Sequence, residues 1–245
     1  PRRKACLGLL ALAASMAAGA QAAAHYPTSA ITLVIAYPPG GSTDAVGRMV
    51  GTELAQRLKQ PVVIENLGGA GGAIGAQKVA RAPADGYTLL LSANNEMAIA
   101  PLINKAIKYR VFKDFTPISL VATQPMVLVA SQSSGVKNTQ EFLSLLRQNP
   151  GKYSYGSSGV GTALHIAGEM VQQAGNVAMT HVPYKGVAPL TNDLLGGSLD
   201  FGVFVLSSGL PHIRAGKVVA LGTTEAKRYG VTPDIPALAE TSAFA

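Results

Sequence analysis

ITLVIAYPPGGSTDAVGR, residues 31–48, decides the fold class. Ile31 to Tyr37 is a short β-rich run of the kind that makes a buried strand, and it breaks at Pro38-Pro39-Gly40-Gly41-Ser42-Thr43. From Asp44 the pattern turns helical. Val46, Val50, Leu54 and Leu58 recur every four residues with Met49 beside them, predicting an amphipathic helix that ends near Lys59. Going outward, Pro61 to Glu65 reads as a second strand, 66–72 as a glycine-rich turn, and the residues up to about Arg81 as a short helix. Pro83-Ala84-Asp85-Gly86 turns the chain into a third strand, Tyr87 to Ser92. Strands alternating with helices require right-handed crossovers and a mainly parallel sheet.

The pattern restarts downstream. Apolar runs at Ile118 to Thr123 and Met126 to Ala130 are broken by Gln124-Pro125, where the chain is expected to pass from one lobe to another. Asn138 followed by Glu141 predicts a capped helix start ahead of Phe142, Leu145 and Leu146. Lys152 to Tyr155 reads as a strand running into the Gly156 to Thr162 turn, with a helix bearing Leu164, Ala167, Val171 and Ala174 on one face after it. Strands at 178–182, 200–205 and 218–223 then alternate with helices near 189–195 and 211–215. The second half is therefore α/β as well.

At the start of the sequence, Arg2, Arg3 and Lys4 precede an uncharged run from Ala5 to Ala20, and small-x-small sites follow at Ala20-Gln21-Ala22 and Ala22-Ala23-Ala24. This is the pattern of a secretory signal, residues 1–24, and it is too short and too rich in alanine to be a membrane span. Cys6 leaves with it, so the exported product has neither disulfide nor thiol chemistry. Of the formal net charge of +7, three units belong to the signal, leaving +4 without a Lys/Arg block; nucleic-acid binding is not indicated. An apolar fraction of 48% supports proper cores.

Two turns share one physics. Each leaves a strand, is rich in Gly, Ser and Thr, and opens onto a helix, where unpaired N–H groups and the positive end of the helix dipole favour an anion. Gly40 and Gly41 in the first, and Gly161 in the second, let a ligand approach the backbone; Ser42, Thr43, Ser157, Ser158 and Thr162 add hydroxyls. Taken singly, each turn reads equally as helix capping. Enzyme motifs fit poorly. The glycines at 68–75 miss the dinucleotide spacing, no Walker lysine follows either turn, and Ser158 lies in GSSGV, without the final glycine of a nucleophile elbow. A Ser158–His165 hydrolase pair is the enzymatic alternative, against a His165 that bonds locally or lines a cleft. The remaining histidines lack zinc spacing, and neither metal nor cofactor is indicated.

YPPGGSTDAVGR at 37–48, VIENLGGAGGAIGAQKVARAPADGYTLL at 63–90, YGSSGVGTALHIAGEM at 155–170, VPYKG at 182–186 and HIRAGKVVALGTT at 212–224 together resemble the Bug (TctC-like) family, the substrate-binding receptors of tripartite tricarboxylate transporters. The resemblance implies a type II periplasmic-binding fold: a signal at 1–24, a first lobe of 25–122 with 222–245, a second lobe of 123–221, and a cleft that closes on a small carboxylate, an organic acid or acidic amino acid. It implies that Pro38 to Asp44, including Pro39 and Asp44, hold one ligand carboxylate through backbone groups and waters, with Tyr37 beside them. Ser157 to Thr162 grip the ligand from the other lobe, and His165 is counted with them as ligand-binding. Ala93, Asn94, Tyr184 and Lys185 are similar to family positions near the cleft. A periplasmic monomer delivering its ligand to membrane subunits, without catalysis, is the implied function; a sensory partner of a signalling protein is the other binding role. Family members usually continue well beyond PDIPALAE at 233–240, so the first lobe is expected to be incomplete.

Overall fold

A computed structural model describes residues 26–244; the expected signal lies outside the described residues. Strand β1 (Ile31–Ile35) is the centre of a three-stranded parallel sheet in the order β2-β1-β3, with β2 Val62–Asn66 and β3 Thr88–Leu91. Ile31, Val34 and Ile35 are fully buried, as a strand covered on both faces requires. Helix α1 (Ser42–Leu58) lays Val46 and Val50 on Leu33, Ile35 and Leu91. Gly47 and Gly51 face the sheet, where a Cβ would collide with Ile35 and Ile64, so the helix lies close against the strands. Helix α2 (Ala73–Ala80) packs with Tyr109 and Leu90 on the opposite face. Beyond β3 a π turn, Asn95–Ile99, leads into α3 (Ala100–Ile103), and α4 (Val111–Asp114) follows.

The apolar run Ile118 to Thr123 takes no strand. Ile118 and Leu120 are each 79% exposed, because no neighbouring element among the described residues covers them. Order resumes at Pro125, whose carbonyl accepts from Leu206, and β4 (Met126–Ser131) enters a second sheet.

That sheet runs β6-β5-β7-β4-β8, with β5 Ser154–Ser157, β6 Thr180–Pro183, β7 Phe201–Val205 and β8 Val218–Thr223. Strand β5 pairs parallel with β6 and β7, while β4 is antiparallel to both of its neighbours. The sheet is thus mainly parallel with one reversed strand, a feature that apolar periodicity does not encode. Alternation along β4 divides the core. Leu128 and Ala130 pack with Phe142, Leu146, Tyr155 and Phe201 beneath α5 (Thr139–Gln148) and α6 (Ala163–Gly175). Val127 and Val129 pack with Leu190, Leu194 and Phe204 beneath α7 (Val187–Leu195) and α8 (Leu206–Arg214). Phe142 and Phe201 meet edge to face at 4.9 Å, a geometry aromatic rings favour. At the start of α5, Asn138 accepts from the Glu141 N–H and its amide donates to the Glu141 carboxylate, forming the predicted cap.

Of the segment 222–245, expected with the first lobe, residues 223–238 pack against the second. Thr223 donates to Pro236, Ile235 joins the Val127–Phe204 core, and Leu238 joins the Leu128–Phe142 core. The apolar residues of PDIPALAE seal β8 locally.

Candidate functional site

Between the two sheets lies a cleft of about 450 Å³. One wall comes from the first sheet: Tyr37 and Pro38 after β1, the glycine turn 69–72, and Ala100, Ile103 and Asn104 around α3. The other comes from the second: the 158–161 turn after β5 and the 183–186 turn after β6. The walls touch. Pro38 packs where Gly186 leaves room, Thr162 approaches Gly71, and Ile103 covers Gly161. Positive φ at Gly71, Gly161 and Gly186 gives these turns shapes that other residues adopt at a cost.

Of the residues expected from sequence, Tyr37, Ser158, Gly161, Tyr184 and Lys185 face this cleft. Pro39, Gly40, Gly41, Ser42 and Thr43 form the mouth of α1, exposed or half-buried beside it, and a Cβ at Gly41 would meet open space. Asp44 points elsewhere. It is buried, accepts from the Gly40 N–H at 3.0 Å and from Asn66 at 2.9 Å, and pairs with Arg48 at 3.0 Å. Burial alone would raise its carboxyl; the bonds from Arg48, Gly40 and Asn66 outweigh that and hold it below the usual range. Asp44 therefore fixes the shape of the first turn. Thr162 is fully buried and caps α6: its hydroxyl donates to the Gly159 carbonyl at 2.8 Å and accepts from the His165 N–H at 3.3 Å. Ser157 is equally buried, within 2.7 Å of His181 Nε2.

The Ser158–His165 pair does not form. His165 Nδ1 already accepts from the Gly161 N–H at 3.0 Å, and its ring stacks on His181 at 4.1 Å. The serine that meets an imidazole is Ser157, shut away from the cleft.

Asn94 is exposed, and Ala93 spends its N–H on the Glu96 carboxylate at 2.7 Å. It is the next two residues that matter. The π turn directs Asn95 and Glu96 inward, and both are buried. Asn95 donates to the Tyr37 hydroxyl at 2.6 Å and accepts from the Ala163 N–H at 2.6 Å, the first helical residue of α6 on the opposite lobe. Tyr37 in turn donates to Glu96 at 2.7 Å. A chain of bonds thus runs from Glu96 through Tyr37 and Asn95 to the second lobe. Burial pushes the Glu96 carboxyl up to about 7, and burial with the neighbouring Glu96 raises Tyr37 and takes Tyr109 to about 12. Tyr184, half-buried and donating to Asp193 at 2.7 Å, is also pushed up to about 12, so at neutral pH these phenols stay protonated donors.

Residues 46–244 match the model of the tripartite tricarboxylate transporter family receptor, TctC. The chain belongs to this receptor family. Among curated relatives, Protein BugT of Bordetella pertussis is 34% identical over 98% of this chain and 73% of its own length. Two Rhodopseudomonas palustris structures are similar over 89% of this chain: a protein with adipate, at 33% identity, TM-score 0.86 and 73% of its chain, and MatC with bound malate, at 31% identity, TM-score 0.82 and 75% of its chain. The receptor therefore has the two-lobed periplasmic-binding fold. Among the described residues of this receptor no cluster of His, Cys, Asp and Glu could hold a metal, and no helix is long and apolar enough to cross a membrane.

Proposed function

We propose that this receptor captures a small dicarboxylate in the periplasm and presents it, without chemical change, to the membrane subunits of a tripartite transporter. One observation carries the reading: the cleft is walled by glycine turns from both lobes, so main-chain groups can surround an anion that only closed lobes enclose. The two positive helix ends beside it, at α1 and α6, oppose the charge of a carboxylate. Lys185, at the rim, supplies a cation, and Ser158 a hydroxyl. The family relationship, and the adipate and malate of the two neighbouring structures, support the ligand class. Turns that bind through backbone and bridging water fix the carboxylate groups more firmly than the carbon chain between them.

A thermal-shift screen of the receptor against adipate, malate, succinate, citrate, acetate and aspartate tests this. Binding to the folded state raises the melting temperature by mass action. Dicarboxylates should raise it in a concentration-dependent way and be recovered intact, whereas acetate should not. A melting temperature that none of the six acids moves would defeat the proposal.

A further inference from the structure

The second-lobe turn that lines the cleft hangs on two imidazoles. His165, in the first turn of α6, and His181, in β6, stack at 4.1 Å and 20°, and His181 also stacks on Tyr155 at 4.9 Å. His165 Nδ1 accepts the Gly161 N–H at 3.0 Å. That bond needs a lone pair on Nδ1 and so a neutral ring with its proton on Nε2; an imidazolium carries N–H at both nitrogens and would turn a donor toward a donor. His181 Nε2 lies 2.7 Å from Ser157 Oγ, which accepts the Gly159 N–H at 3.2 Å. Between Ser157 and Gly161 the backbone is thus tied to His181 at one end and His165 at the other, and residues 158–161 form the cleft wall.

We propose that His165 is the positioning residue of the ligand turn: its neutral ring holds Gly161 in the cleft wall, and protonation releases it. The groups facing His165 are few. Glu169, one turn along α6, has Oε1 3.7 Å from Nε2, and the same oxygen accepts from the Tyr155 hydroxyl at 2.5 Å and from Gln172 at 3.0 Å. His181, across the stack, opposes a second charge. From the first lobe the neighbour over Gly161 is the apolar Ile103. Burial first, and His165 second, hold His181 below the usual imidazole range against the opposing pull of Glu169. Acidification therefore loosens one wall of the cleft at a single atom.

The consequence for ligand binding rests on the proposed function, but the behaviour of the turn does not, and the two are read separately. The Gly161 amide is followed by ¹H–¹⁵N NMR in the ligand-free full chain from pH 7.5 to 5.5, in wild type, His165→Asn and His165→Ala. Asn places Oδ1 where Nδ1 stood, so it accepts but takes no charge. Wild type should show one transition with loss of exchange protection; His165→Asn should stay protected without a transition; His165→Ala should be unprotected throughout. Adipate affinity, measured beside it, should fall about five- to tenfold on acidification in wild type relative to His165→Asn, the worth of one hydrogen bond. A wild-type Gly161 amide that is flat across this range, or a His165→Asn protein that behaves like His165→Ala, overturns the positioning role. Expected amide behaviour with no adipate or malate binding would leave His165 as assigned and refute the carboxylate reading instead.

Discussion

Glu96 is a fully buried carboxyl, set behind Tyr37 and Gly72 in the cleft wall. Burial raises it from the ordinary 4.5 to about 7, so the folded state holds its proton more tightly than the unfolded chain does. Its contribution to stability is complete below about pH 4.5 and is lost as pH rises through about 7. Glu96→Gln mimics the protonated acid; it should differ little from wild type at pH 5 and be more stable at pH 8 by up to about 3 kcal/mol, read from urea unfolding at both values. An equal gain at both pH values would show that packing, not charge, sets the difference. Glu96 and Asn95 were not legible in the sequence. SANNEMAIAP offers two adjacent asparagines and one acid, and only the π turn decides that Asn95 and Glu96 point inward while Asn94 faces solvent. The available signal was a lone Glu set among Met, Ala and Ile. Gly161 and Ser158 were legible, because a glycine turn leaving a strand advertises itself; Tyr184 and Lys185 were reached only through the family resemblance.

At the scale of elements, the competing readings of the second turn separate cleanly at Thr162. A buried hydroxyl bonded to Gly159 and to the His165 N–H is a cap. Thr162→Val should therefore lower stability by about 1 kcal/mol, within the usual range for a lost cap, and leave the affinity of the folded fraction for dicarboxylates nearly unchanged. Calorimetric melting of the apo protein and titration of the folded protein measure the two effects; a tenfold loss of affinity at unaltered melting temperature would return Thr162 to the ligand. Apart from α3, α4 and the strand expected at 118–123, the strand and helix order was legible from periodicity, since strands buried on both faces and helices with one apolar stripe leave different patterns. Strand direction was not. β4 has the same apolar run whether it lies parallel or antiparallel, and Ile118 to Thr123 matches it in composition yet stays uncovered. Ile235 and Leu238 went to the nearer core because β8 lay open beside them.

Across the whole molecule, the lobes meet through few groups, and Asn95 is the one polar side chain shown reaching a backbone N–H of the opposite lobe among the described residues. Its donor side is committed to Tyr37, whose hydroxyl proton goes to Glu96, so its carbonyl is left to face the Ala163 N–H. Asn95→Leu removes that clasp and leaves the N–H of α6 without its partner in the closed form; dicarboxylate affinity should fall about tenfold, mainly through faster dissociation in stopped-flow measurements. Unchanged dissociation would mean that closure does not depend on this bond. The most direct test of closure on a carboxylate is a crystal structure of the receptor grown with adipate. Carboxylate oxygens within hydrogen-bond distance, directly or through one water, of both the 158–161 turn and the wall formed by Tyr37 and residues 69–72 are the expected result. Adipate held by one lobe alone, or bound outside this cleft, would contradict it.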